Sequence, residues 1–222
     1  MSNVDILKPL GRLLSLAVLG TAALLLGGCA DGPGNTGGTT GGCTTDCAPL
    51  PVTCPTPGQT FTAFNLSDAK VTAVKSSGIC IGCDIDDAID VIDDVTTNYA
   101  IMSISVGALI AGNSITVTDT AMTFPAGAVA GFVVSTPDAP VLALDLLQAI
   151  KVSTINNGTD TGDSATGNNL LVLDLLGLIN NESLHFITAG ATTKPFNAAR
   201  LNLGGVVSAL TTLHVYGAGI CQ

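Results

Sequence analysis

Alternating apolar and polar positions in the last two thirds of the chain predict short β-strands separated by turns. Ser114–Thr118 alternates cleanly, with Ile115 and Val117 on one face, and Ala130–Val134 is an apolar run typical of a buried strand. The dipeptide Asn157-Gly158 follows a further candidate strand and is a strong hairpin signal. The predicted strands are Val71–Val74, Tyr99–Val106, Ser114–Thr118, Ala130–Val134, Ile150–Ile155, Leu184–Thr188, Ala198–Leu203 and Thr212–Tyr216.

The spacing of these strands predicts an all-β fold. No helical segment of about 10–15 residues alternates with them, which argues against a parallel α/β sheet and favours an antiparallel β-sandwich of jelly-roll or immunoglobulin-like type. We expect this domain to span residues 61–222. Pairing of its last two strands would place four apolar side chains inside, namely Leu201, Leu203, Leu213 and Val215.

Two segments share a sequence pattern that periodicity leaves ambiguous. Residues 141–150 and 170–179 both contain Leu-Asp-Leu-Leu, with an isoleucine five positions after the aspartate. Each could form a short helical turn or a buried strand. Similar packing elements are one interpretation, and exposed apolar ridges for a partner are the other.

The first apolar run of the chain predicts a secretory signal. Lys8 and Arg12 precede the apolar stretch Leu13–Leu26, and small residues separate that stretch from Cys29. The run is shorter than the roughly 20 residues of a membrane-spanning helix. We therefore assign residues 1–28 to a signal peptide.

The end of this run, Leu26-Gly27-Gly28-Cys29, resembles the lipobox of bacterial lipoproteins. The resemblance implies cleavage before Cys29, acylation of that cysteine and attachment of the mature chain to a membrane by lipid. In Gram-negative lipoproteins an aspartate directly after the cysteine is the usual inner-membrane retention signal. Here Ala30 follows the cysteine and Asp31 comes one residue later, which implies delivery to the outer membrane.

Residues 29–60 are predicted to form a flexible tether rich in Gly, Thr and Pro. The segment 32–42 is built from Gly, Thr, Pro and Asn and cannot bury a core. About 30 such residues have a root-mean-square reach of roughly 30 Å as a flexible coil. The later part holds several prolines and three cysteines, which could hold it against the folded domain.

Composition and charge exclude some classes of partner. The net charge is −10, and only 11% of residues are charged. This balance argues against nucleic acid, which requires a basic footprint, and against docking on anionic lipid through charge. It suits an exported surface module and is compatible with binding of hard cations.

Six cysteines remain if Cys29 is lipidated, and an even number in an exported chain predicts disulfides. Their spacing does not choose among the 15 possible pairings. The Cys80-x-x-Cys83 spacing also occurs in redox motifs, but a βαβ unit and a second zinc-ligand pair are both lacking. A structural disulfide is the expected use. The candidates are Cys43, Cys47, Cys54, Cys80, Cys83 and Cys221.

The segment 80–99 concentrates six aspartates beside this cysteine pair. Crowded carboxylates repel one another unless a cation neutralises them, and oxygen ligands in a loop suit Ca²⁺. The candidate calcium ligands are Asp90, Asp93 and Asp94. The alternative is a solvated acidic loop, or a short helix that places apolar side chains inward, namely Ile85, Ala88, Ile89 and Ile92.

The sequence does not predict an enzyme. His185 and His214 lie in predicted strands, and neither a Gly-x-Ser-x-Gly nor a His-Glu-x-x-His motif is present. No nucleophile, base and orienting group can be assembled from these residues. The chain also has no Trp, and this counts against a glycan-binding module, because carbohydrate binding usually needs aromatic faces on which sugars stack.

Several phrases resemble a β-sandwich module of large secreted surface and adhesin-like proteins of bacteria. The phrase 93–100 also resembles the calcium-holding corner of discoidin-like jelly rolls, although Asp94 and Tyr99 replace that corner's Gly and Trp. The resemblance to the surface-protein module covers nearly all of Cys80 to Cys221. The phrases that carry it are 93–100, 124–134, 157–159, 193–201 and 215–218.

These observations favour a cell-envelope lipoprotein that displays a non-catalytic β-sandwich for adhesion, envelope structure or recognition. The expected partners are a membrane, through the lipid anchor, and an envelope protein or an extracellular polymer. A Ca²⁺-dependent glycan-binding module is the main alternative. An envelope thiol oxidoreductase or hydrolase is a further alternative.

Overall fold

Short antiparallel strands make up most of the described chain. The computed structural model describes residues 50, 52–75, 83–93, 95–104, 112–137, 144–175, 184–204 and 211–222. The strands are β1 (Phe61–Ala63), β2 (Ala69–Val74), β3 (Asp84–Asp86), β4 (Ala100–Ile104), β5 (Gly112–Asp119), β6 (Val129–Ser135), β7 (Ile150–Asn156), β8 (Thr159–Thr166), β9 (Leu171–Leu175), β10 (Leu184–Thr188), β11 (Ala198–Gly204) and β12 (Thr211–Cys221). The helices are α1 (Leu144–Ala149) and two 3₁₀ turns, Ala88–Ile92 and Gly167–Asn169.

The described strands form two sheets. The first has the order β3-β4-β12-β6-β10-β9, with β1 beside the second half of β12, and the second has the order β2-β5-β11-β7-β8. Every pair in both sheets is antiparallel. The predicted antiparallel β-sandwich is therefore confirmed.

The predicted pairing of the last two strands is wrong. β11 pairs with β5 and β7 in the second sheet, whereas β12 pairs with β4 and β6 in the first. Leu201 and Leu213 are nevertheless both fully buried. Their side chains belong to one core because the inner faces of the two sheets pack on each other.

A two-residue loop closes the hairpin of β7 and β8, as the sequence predicted. Asn157 has φ 49° and Gly158 has φ 80°. Two consecutive positive φ angles define a type I′ turn, whose twist matches the right-handed twist of the paired strands. The hairpin places the polar strand β8 at the edge of the second sheet.

The outer face of the first sheet is covered by residues 50 and 52–61, which we call the strap. Leu50, Val52, Cys54 and Phe61 pack on a second apolar cluster on that face. Cys54 forms a disulfide with Cys221, and backbone hydrogen bonds in both directions join residues 60 and 222. The strap thus closes this side of the sandwich.

Glycines in β12 make room for the strap. A Cβ atom added at Gly219 would lie 2.3 Å from Cζ of Phe61, and one added at Gly217 would lie 2.4 Å from Cδ1 of Leu50. A register shift between Val215 and Gly217 makes Tyr216 an extra residue in β12. The strand therefore directs a tyrosine and glycines toward the strap while it keeps Val215 in the core.

Candidate functional site

The outer face of the second sheet is a regular array of mostly polar side chains. Residues such as Val117 and Leu201 point into the core, so alternate residues of the same strands point outward. Strand register aligns these outward residues in three rows across the sheet. The first row is Lys70, Thr118, Ala198, Ile155 and Asp160; the middle row is Thr72, Thr116, Arg200, Ser153 and Ser164; the third row is Val74, Ser114, Asn202, Lys151 and Thr166. We call this surface the row face.

Arg200 occupies the centre of the row face. Its Nε donates a hydrogen bond to Oγ1 of Thr116, its cross-strand neighbour, at 3.0 Å. Thr116 is 8% exposed and Ser153 is 1% exposed, whereas Arg200 itself is half-buried. The guanidinium is therefore anchored along the sheet instead of extending freely into solvent.

Positive charge is concentrated on the row face. Lys70, Lys151 and Arg200 are three of the five basic residues that lie within the described ranges. Asp160, at the corner of the first row, is the one acidic residue among the fifteen row residues. In a chain of net charge −10, this surface differs in sign from its surroundings.

The predicted calcium segment forms β3 and the first 3₁₀ turn, with apolar side chains turned inward. Ile85, Val91 and Ile92 are buried, but Ile89 is 52% exposed. The alternative of a short helix with Ile89 inward is therefore wrong at that residue, because 3₁₀ geometry places Val91 inward instead. Asp87 begins the turn in the left-handed region, with φ 51°.

The carboxylates of this segment have separate environments. Lys75 pairs with Asp84, and this contact, together with a hydrogen bond from the N–H of Ile85, lowers the pKa of Asp84. Burial, followed by the charges of Asp93 and Asp87, raises the pKa of Asp90. Asp84 is thus paired with a cation, whereas the carboxylate of Asp90 is repelled by those of Asp93 and Asp87.

The calcium hypothesis stays a prediction. Oδ1 of Asp93 accepts the N–H of Val95 at 3.0 Å, and Oδ2 accepts Nδ2 of Asn98 at 2.7 Å. Asp94 lies outside the described residues. Among the residues that are described, no group of three or more His, Cys, Asp or Glu side chains is placed to hold a metal ion.

One disulfide is defined at both ends. It joins Cys54 to Cys221 with a Cα–Cα distance of 5.7 Å. Cys83 is also disulfide-bonded. The remaining candidates, Cys43, Cys47 and Cys80, and the predicted lipidation site Cys29 lie outside the described residues.

The histidines belong to the buried parts of the first sheet. His214 stacks on Tyr99 with a centroid distance of 4.0 Å, and Tyr216 lies 5.0 Å from the same ring. His185 is 4% exposed and His214 is 6% exposed. Both histidines are therefore packing residues of this sheet, His214 through stacking and burial and His185 through burial.

A compact polar contact joins the β7–β8 hairpin to the loop before β11. The carboxylate of Asp163 accepts hydrogen bonds from the N–H and Oγ1 of Thr193 and from the N–H of Lys194. Burial would raise the pKa of Asp163, but these three hydrogen bonds, together with the charge of Lys194, outweigh it and lower the pKa. Lys194 also donates from Nζ to the carbonyl of Thr161. This contact fixes the edge of the row face next to β8.

Comparisons with known proteins found weak matches to two solved structures. The lectin domain of lectinolysin, solved with Lewis B antigen, shares 9% identity at a TM-score of 0.36 and covers 68% of this chain and 90% of its own. A mutant of the family 29 carbohydrate-binding module CBM29-2 shares 11% identity at a TM-score of 0.33, with coverages of 69% and 91%. A scan against protein-family models and a search of curated proteins found no match.

Sequence reasoning did not single out the row face. The polar residues that alternate with the core residues could have indicated it. In β11, for example, Arg200 and Asn202 alternate with Ala199, Leu201 and Leu203. What brings Lys70, Arg200 and Lys151 onto one surface is the order of the second sheet, which combines strands distant in sequence.

No helix in the described ranges has the length and apolar character needed to cross a membrane.

Proposed function

We propose that this chain is a non-catalytic recognition domain displayed at the bacterial cell envelope, and that its row face binds an extracellular polymer. In this proposal, lipid on Cys29 anchors the mature chain in the outer membrane. The part of the tether before the strap separates the anchor from the sandwich, since residues 50 and 52–60 pack on the first sheet, and the row face is available for binding.

The observation that supports this proposal is the difference between the two outer faces of the sandwich. The strap and an aromatic cluster cover the first sheet. The row face instead presents hydroxyl and amide groups on neighbouring strands, and Lys70, Thr72, Ser164 and Thr166 are exposed. Strands repeat about every 4.8 Å, so these groups form a periodic set of donors and acceptors for a long molecule lying across them.

The chemistry of the described residues favours binding over catalysis. Both histidines lie on strands of the first sheet and not on the row face. The row face consists largely of Thr, Ser, Asn, Lys and Arg side chains, which can donate and accept hydrogen bonds. These groups supply hydrogen bonds and charge, the interactions by which a binding surface recognises a polar polymer.

A retention assay tests the proposal. Full-length protein, purified as the cell processes it, is incubated with immobilised extracellular polysaccharides in the presence of Ca²⁺ or a chelator. We expect retention by at least one polymer and loss of retention in Ser164→Tyr, which adds bulk to the row face. Ser67→Tyr is the matched control, because Ser67 lies in an exposed turn outside the rows.

The proposal is wrong if no polymer retains the protein, or if the two tyrosine variants bind equally well. Dependence of retention on Ca²⁺ would add a metal requirement, and Asp90, Asp93 and Asp94 would then be the first ligands to replace. Independence from Ca²⁺ would remove the calcium hypothesis and leave the row face as proposed.

A further inference from the structure

We propose that the ligand of the row face is an acidic polysaccharide, and that Lys70, Arg200 and Lys151 bind its carboxylate or sulfate groups. This inference rests on the proposed function, since it names the ligand class of the same face. It follows from where the cations lie and from which side chains surround them.

The three cations lie on one diagonal of the row face. Lys70 is on β2 in the first row, Arg200 is on β11 in the middle row, and Lys151 is on β7 in the third row. Strand spacing and rise place the Cα atoms of Lys70 and Arg200 about 12 Å apart and those of Arg200 and Lys151 about 8 Å apart. A linear molecule with charges along its length could contact all three over roughly 20 Å.

The surroundings of the diagonal are neutral and rich in hydrogen-bonding groups. Arg200 lies beside Thr116 and Ser153 in its row, and Lys151 lies beside Asn202 and Thr166 in its own. Thr116 and Ser153 are buried, so the exposed hydroxyls of Thr72, Ser164 and Thr166 are the ones that can donate to and accept from sugar hydroxyls. Asp160 is two strands from Arg200 and in a different row, so it does not neutralise the centre of the diagonal.

Protection of sheet edges explains only part of this pattern. Exposed lysines on edge strands prevent unwanted strand pairing, and Lys70 lies on the edge strand β2. Arg200 and Lys151 lie on the interior strands β11 and β7, where no such protection is needed. Their position on the face, instead of at its edge, indicates a ligand above the sheet.

The composition of the row face selects the class of polymer. No aromatic side chain occurs among the fifteen row residues, so a neutral glycan would lack a ring to stack on. Bases of single-stranded nucleic acid would lack stacking partners for the same reason. An acidic polysaccharide needs charge and hydrogen bonds, and both are present. At physiological salt, repulsion from distant acidic residues is screened beyond about 8 Å.

The test compares polymers that differ only in charge. Binding of the full-length protein is measured by isothermal titration with polygalacturonate and with dextran sulfate. Fully methyl-esterified polygalacturonate and plain dextran are the neutral counterparts. Double-stranded DNA and vesicles containing phosphatidylglycerol are the other polyanions. We expect binding to at least one acidic polysaccharide, none to its neutral counterpart, and weakening as salt is raised.

The variants test whether binding depends on the three cations of the diagonal or on positive charge anywhere on the protein. Replacing Lys70, Arg200 and Lys151 together by Gln should weaken binding about tenfold or more, because all three ion pairs with the polymer are lost. Lys75→Gln is the control: Lys75 follows the row residue Val74 in the chain, but its side chain pairs with Asp84 of the first sheet instead of lying on the diagonal. Arg200→Lys should retain most of the binding. The pair Lys70→Gln with Lys151→Gln keeps the test valid if loss of Arg200 disturbs folding.

Three outcomes would overturn the inference: equal weakening by Lys75→Gln, equal binding of charged and neutral polysaccharides, or binding only to DNA or vesicles. In the second case a glycan still binds and Ser164→Tyr should still abolish binding, so the proposed function survives while the acidic ligand does not. If no polysaccharide binds in either assay, both proposals are wrong.

Discussion

The disulfide between Cys54 and Cys221 should hold the strap on the first sheet and contribute much of the stability of the domain. The perturbation is the double substitution Cys54→Ala with Cys221→Ala. The two cysteines are separated by 167 positions. The chain-entropy relation gives about 5 kcal/mol for closing a loop of this length, and measured losses are about 2–5 kcal/mol. We therefore expect the free energy of unfolding to fall by about 3 kcal/mol.

Urea unfolding followed by circular dichroism measures this loss. The denaturant slope should rise in the double variant, because the uncrosslinked unfolded chain exposes more surface. Wild-type protein in reducing agent is the comparison: it also loses the disulfide of Cys83, so it should be no more stable than the variant.

A loss below about 1 kcal/mol with an unchanged denaturant slope would refute this reasoning. It would mean that the strap is held by the packing of Leu50 and Phe61 alone. Truncation of Phe61 to Ala would then be the more damaging change, through loss of its edge-to-face contact with Phe186 at 5.6 Å.

Three further predictions test other parts of the account. Asp163→Asn should cost about 1 kcal/mol at neutral pH by weakening the contact with Thr193. Because folding lowers the pKa of Asp163, the difference in unfolding free energy between wild type and variant should be complete above pH about 4 and should vanish as the pH falls through the folded-state pKa. A loss of stability that does not depend on pH would contradict this prediction. Gly131→Ala would place a Cβ 2.5 Å from Cζ of Phe186, so thermal melting should show a loss of about 1–3 kcal/mol, and an unchanged melting temperature would count against this packing. Cys29→Ser should abolish the palmitate labelling of the wild-type chain; labelling that persists in the variant would rule out Cys29 as the acylated residue, and a wild-type chain that takes up no label would rule out the lipid anchor.

Strand positions could be predicted from the sequence wherever one face is buried. β5 and β11 show apolar residues at every second position, since their inner faces pack on the other sheet. β8 was missed because Ala165 is its one aliphatic residue, and its position at the sheet edge requires little burial. The Asn157-Gly158 turn could be predicted from the sequence because few residue pairs tolerate two positive φ angles.

Which strands pair could not be predicted, since pairing is set by contacts between distant segments. The two Leu-Asp-Leu-Leu segments illustrate this limit. One forms α1 at Leu144–Ala149 and the other forms β9 at Leu171–Leu175, which pairs with β10. The same local preference therefore yields a helix or a strand according to whether a partner strand is adjacent. The row face depends on such pairing, so its cations could not be grouped from the sequence.

The strap also required the structure. Its prolines predicted an extended segment within the tether, and Cys54 was one of three tether cysteines that were candidates for holding it against the domain. The partner of Cys54 could not be chosen among 15 pairings, because loop spacing alone does not bring two cysteines together. The structure shows that Cys221, at the end of β12, lies beside it.

Hydroxyl-radical footprinting with polygalacturonate tests the central claim, that the row face binds polymer, most directly. Val74 lies in the third row and is 52% exposed, whereas Ile89 at 52% and Met122 at 53% are exposed outside the rows. Binding should reduce oxidation of Val74 and leave that of Ile89 and Met122 unchanged. Protection of Ile89 or Met122 without protection of Val74 would place the ligand elsewhere and contradict the account.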